Sequence, residues 1–179
     1  ATQAGVFLAL VGLCAVARVL PHPPNFTPLA GAALLASLLF GSRLVACAVP
    51  ILAMLASDAW IGGYELPTMV VVYGSLVLPV LLRPLLSRRQ TMVGIGLSAT
   101  ICSIAFFAST NFAVWMFGGI YPVTLGGLVE CYTAALPFFK YTLAGDLFWS
   151  LILLNGYRWA VAGHVRPIRL ARTATAPTN

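Results

Sequence analysis

Charge is scarce in this chain. Of 179 residues, 8% are Asp, Glu, Lys or Arg, against about 25% in a soluble domain. Acids are the rarest: Asp58, Glu65, Glu130 and Asp146 are the full set. So little charge beside 60% hydrophobic residues excludes a disordered chain. It also excludes an ordinary water-soluble core, since a chain this short cannot hide that much apolar surface. Cysteine is sparse too. Cys14, Cys47, Cys102 and Cys131 show no CxxC spacing, which argues against a zinc or iron–sulfur site. The two histidines, His22 and His164, fall on opposite sides of the topology below, so no metal site is expected. The motifs GxSxG, HExxH, GxxxxGK[ST] and GxGxxG are missing, so no catalytic residue and no nucleotide-driven step is expected.

What is present is apolar runs. Ala4–Leu20, Leu29–Phe40, Leu44–Ile61, Thr68–Leu86, Met92–Phe117 and Leu143–Ala162 approach the roughly 20 residues a helix needs to cross a bilayer. The second is short, roughly 18 Å at 1.5 Å per residue. The expected fold is therefore all-α, a polytopic transmembrane bundle of about six helices. Ala4–Leu20 lacks a basic flank and a cleavage site, so it is expected as a true span. Two stretches break the pattern. Pro21–Pro28 carries four prolines in eight residues and cannot be regular helix. Gly118–Tyr141 reads as too polar and too broken to span, with Leu128–Phe139 as an interfacial helix or re-entrant segment.

The positive charges test this order. With both termini cytoplasmic, Arg43, Arg83, Arg88, Arg89, Arg158, Arg166, Arg169 and Arg172 fall inside, eight of the ten Lys and Arg residues, as positive-inside topology requires. The expected organisation is a transmembrane domain over 1–165 and a basic cytoplasmic tail over 166–179, in a bacterial inner membrane. The same clustering at helix ends, with no interleaved aromatic and basic residues, points away from nucleic acid.

Ionisable groups at membrane depth are expensive, so each is a candidate functional group. By this topology Arg18, Asn25, Asp58, Trp60, Asn111, Trp115, Tyr121, Glu130 and Asp146 gather on the outer side and form the candidate ligand site. An Arg18–Asp58 ion pair holding two helices and an ordinary interfacial belt of Trp and Tyr stand beside that reading. Small residues at Ala1, Gly5 and Ala9 let another helix approach closely, which makes this face of the first helix a candidate surface for other membrane subunits, with lipid around the rest.

The runs Arg18-Val19-Leu20-Pro21-His22-Pro23-Pro24-Asn25-Phe26-Thr27-Pro28, Ser57-Asp58, Thr110-Asn111-Phe112-Ala113-Val114-Trp115, Pro137-Phe138-Phe139 and Gly145-Asp146 resemble an uncharacterised family of small bacterial membrane proteins. More distantly, that family is similar to the substrate-binding S components of energy-coupling-factor vitamin transporters. This resemblance implies a six-helix protein that binds a nutrient from outside and docks through its first helix onto a partner driven by ATPases. The expected function is thus a solute-binding transport component. The alternative is an accessory subunit of a respiratory or photosynthetic complex, where a pigment or lipid could be held. No cofactor is otherwise expected.

Overall fold

The structure is a computed structural model that describes residues 2–84 and 91–162. Among these residues it is all-helical: α1 (Gln3–Val19), α2 (Leu29–Leu39), α3 (Arg43–Ile61), α4 (Leu66–Ser75), α5 (Leu78–Leu81), α6 (Met92–Phe117) and α7 (Leu125–Ala162). The basic segment 85–90, the tail 166–179, Ala1 and His164 lie outside the described residues.

Hydroxyl side chains set several helix starts. The backbone N–H groups of Gly5, Val45, Gly94 and Gly127 donate to Oγ of Thr2, Ser42, Thr91 and Thr124. Each satisfies one of the orphan amides of a first turn. The span expected over Thr68–Leu86 divides after Ser75. Pro79 cannot continue the amide ladder, and its ring disfavours helical backbone at the residue before it. The Leu76 amide accordingly shares the Val72 and Tyr73 carbonyls at 3.3 and 3.2 Å.

α2 sits at the centre, packed on α1, α3, α5 and α7. Every residue from Leu29 to Ser37 is buried. Its small residues allow this: a Cβ added at Gly31 would lie 2.8 Å from the Ser150 amide nitrogen and 2.9 Å from the Trp149 carbonyl carbon of α7. At its far end Arg83 donates to the carbonyls of Phe40 and Gly41 at 3.4 and 3.3 Å, placing positive charge where the helix dipole is negative.

The last third departs from expectation. Leu128–Phe139 is neither a separate interfacial helix nor re-entrant. It belongs to one continuous helix, α7, which runs 38 residues through Pro137. It packs on α6. Met92 meets Asn155, Ser103 meets Asp146, and Asn111 meets Cys131, so the two helices form one antiparallel hairpin. Phe107 packs its ring on Tyr132 and Phe139, and the Tyr132 hydroxyl donates to the Ala108 carbonyl.

Among the described residues two helices, Arg43–Ile61 and Met92–Phe117, are long and apolar enough to cross a membrane.

Candidate functional site

Three elements bring charge together at one end of the bundle. Arg18 occupies the last turn of α1, where a cation suits the dipole. Asp58 occupies the last turn of α3, where an anion does not, so it needs a partner. Arg18 Nη1 donates to Asp58 Oδ1 at 2.7 Å and also to Ser57 Oγ. Tyr73, from α4, donates its hydroxyl to Asp58 Oδ2 at 2.7 Å. Both carboxylate oxygens are therefore engaged, and α1, α3 and α4 are tied at a single buried group. Arg18–Asp58 is the ion pair found among the described residues.

Removing the Tyr73 hydroxyl leaves Asp58 Oδ2 unpaired while keeping the ring. Hydrogen bonds to charged groups contribute roughly 1.5–3 kcal/mol, and Tyr73→Phe is expected to lose about that much stability. Reversible unfolding in detergent micelles measures it; an unchanged midpoint would mean the contact adds nothing.

Arg18 faces a cavity of about 440 Å³, whose wall also includes His22, Asn25, Thr27, Tyr64, Phe106 and Asp146. The loop that shapes it follows from sequence. Asn25 takes a left-handed conformation, φ 60°, which Asn tolerates better than most residues. That turn lays Phe26 against α7, where Gly145 has no Cβ to obstruct it: one would lie 2.9 Å from Phe26 Cα. Phe26 then stacks on Phe148, ring centroids 5.6 Å apart. His22 is fixed to backbone, Nδ1 lying 2.7 Å from the Pro23 carbonyl and Nε2 3.3 Å from that of Arg18. At the mouth, burial pushes the Tyr64 phenol up from its ordinary pKa, Asp58 adds to that, and Arg18 opposes it.

Asp146 lines the same cavity and is 7% exposed. It accepts from Ser103 Oγ at 2.6 Å. A smaller cavity of about 160 Å³ adjoins this one, lined among others by Phe107, Asn111, Phe138 and Phe139. Asn25, Phe106 and Thr142 line both and form the partition.

Of the nine sequence candidates, Arg18, Asn25 and Asp146 line the main cavity and Asp58 braces its wall. Asn111 lines the smaller one, its side-chain amide turned to the Phe107 carbonyl at 2.8 Å. Trp60, Trp115, Tyr121 and Glu130 line neither. Trp60 is 80% exposed, Glu130 is exposed, and Trp115 donates its indole N–H to the Pro122 carbonyl at 3.1 Å, bracing the α6–α7 turn. Sequence position alone put these four on the outer side. They belong to the rim of the α6–α7 hairpin, or in the case of Trp60 to the outer surface of α3. Ser57, Tyr73 and Ser103 went unselected although each holds a site carboxylate or its partner. Among the described residues no group of three or more His, Cys, Asp and Glu side chains is placed to hold a metal ion.

Gly5 and Ala9 lie on the exposed side of α1, away from its packing against α3.

The model of a family described as "Family of unknown function (DUF6580)" matches residues 1–168. No curated protein and no solved structure gives a significant match.

Proposed function

The chain belongs to the DUF6580 family, whose function is unknown, and we propose that it is a polytopic membrane protein that binds a small solute as the recognition component of a transporter. The membrane reading is supported by where apolar side chains point. Large ones stand exposed on nearly every long helix, among them Leu8, Leu52, Val93, Ile104, Leu136 and Ile152. Soluble monomers rarely expose such continuous apolar surface. The two longest apolar windows are 39% and 33% buried, less than a soluble core helix would be. The positive-inside count favours both termini on the cytoplasmic side of a bacterial inner membrane.

The observation that carries the binding reading is the cavity itself. It lies at the end of the bundle expected to face outward, and its volume is within the usual range for small-molecule sites, roughly 300–1,000 Å³. Its walls are mostly apolar with a few converging polar groups. A site of this kind is expected to bind from the outside, while the exposed Gly5 and Ala9 face of α1 is the candidate surface for a partner subunit.

Thermal unfolding of the purified protein against vitamins, amino acids and small amines tests this. A ligand present at about 100 times its Kd raises native-state stability by about 2.7 kcal/mol, a readily measured shift in midpoint. A flat panel, together with recovery of the chain as a stoichiometric part of a large respiratory or photosynthetic assembly, would replace this reading with the accessory-subunit one.

A further inference from the structure

Among the described residues Asp146 has no ion-pair partner. Arg18 is engaged by Asp58 at 2.7 Å and by Ser57, so its charge is already matched. His22 Nδ1 and Nε2 lie 2.7 and 3.3 Å from the Pro23 and Arg18 carbonyl oxygens, and His22 forms no ion pair with Asp146. Asp146 is 7% exposed, and its hydrogen-bond partner is the neutral Ser103 hydroxyl. Across α1, the loop after it, α3, α4, α6 and α7, the ionisable groups at or beside this wall are Arg18, His22, Asp58, Tyr64, Tyr73, Cys102 and Asp146. Of the two carboxylates among these seven groups, Asp58 is paired with Arg18, and Asp146 has no ion pair among the described residues. A buried carboxylate is tolerated when it is paired or neutralised, and the volume beside it is open.

We propose that Asp146 is the counter-charge for an organic cation, a protonated amine, seated in this cavity. The inference rests on the binding reading above and names its ligand class. Two further features fit an amine that carries an apolar tail. Phe106 lines the same cavity as Asp146, and aromatic faces attract ammonium groups. Beyond the partition of Asn25, Phe106 and Thr142 lies the aromatic pocket of Phe107, Phe138 and Phe139, suited to an aryl or alkyl group. Arg18, held by Asp58, then acts as part of the wall.

Three near-isosteric probes separate the possibilities: phenethylammonium, 2-phenylethanol and 3-phenylpropionate, titrated against the full chain in lipid nanodiscs. Phenethylammonium is expected to bind at least about tenfold more tightly than the other two, the ratio that 1.4 kcal/mol supports, and Asp146→Asn is expected to erase that preference. Ser103→Ala keeps the carboxylate and should keep the preference. Should Asp146→Asn fail to fold, the wild-type protein serves: labelling of Asp146 by a hydrophobic carbodiimide, read by mass spectrometry, is expected to be blocked by phenethylammonium and not by 2-phenylethanol. Tighter binding of the alcohol or the acid, or an amine preference that survives Asp146→Asn, would overturn the assignment and leave the binding reading standing. The absence of binding by all three probes and by the wider nutrient panel would remove both.

Discussion

Arg18→Met is expected to destabilise the folded protein by about 3–5 kcal/mol, the cost of leaving one member of a buried ion pair without the other. Asp58 is 93% shielded, with side-chain exposure of 7%, and Arg18 shows 17%. With the guanidinium gone, the Asp58 carboxylate keeps the Tyr73 hydroxyl as its hydrogen-bond donor, and its charge sits against the negative end of α3. The double variant Arg18→Met, Asp58→Asn should recover most of the loss, because both charges leave together. Unfolding midpoints for the wild type, both single variants and the double variant give the coupling directly. If the double variant loses as much as the two singles summed, the residues do not interact energetically and the tie between α1 and α3 is geometric only. The same series in the binding assay separates stability from recognition: an Arg18 variant that folds should retain amine preference, since Asp146 carries it.

The second large effect is expected at Gly31. Its missing Cβ is what brings α2 against the backbone of α7 at Trp149 and Ser150. An added methyl at 2.8 Å from a backbone nitrogen has no flexible side chain to push aside, so the two helices must separate. Overpacking of this kind costs typically 1–3 kcal/mol, and Gly31→Ala is expected at the upper end. Gly31→Leu is expected to leave no cooperative unfolding transition, since α2 is surrounded and cannot rotate away. Gly12→Ala is the matched control. That glycine is also inside a helix but a Cβ there meets nothing within 4 Å, and removal of a helical glycine contributes roughly 0.5–1 kcal/mol of stability. Opposite signs at the two positions would confirm close approach as the cause; equal signs would discard it.

Much of this was legible in the chain itself. The Leu29–Phe40 run matches α2 to within a residue, because a helix surrounded by others carries apolar residues on every side and needs no periodic stripe. Arg18, Asp58 and Asp146 stood out because charge is scarce enough here that each instance is conspicuous. The continuity of α7 was hidden. Gly126, Gly127 and Pro137 all read as breakers, yet Gly127 is required by a neighbour, since a Cβ there would collide with the Pro122 carbonyl oxygen, and Pro137 is tolerated in a helix that packs on α6. The hydroxyls were hidden for a different reason. Ser98, Thr100, Ser109, Thr110 and Thr133 all donate to the carbonyl one turn back in their own helix. Ser57 does the same while accepting from Arg18, and Ser103, whose one O–H goes to Asp146, sits 3.1 Å from the Ala99 carbonyl oxygen, so residue type cannot separate the two populations. Tyr73 pairs with Asp58 across a turn whose geometry sequence does not specify.

The unequal helix lengths also bear on the proposed membrane placement. α3 is 19 residues long and α6 is 26, roughly 29 and 39 Å at 1.5 Å per residue. Tilting alone would need about 43° to level them, beyond the usual range of up to about 40°. On the membrane reading proposed above, a bilayer matched to α3 leaves part of α6 outside the hydrocarbon layer.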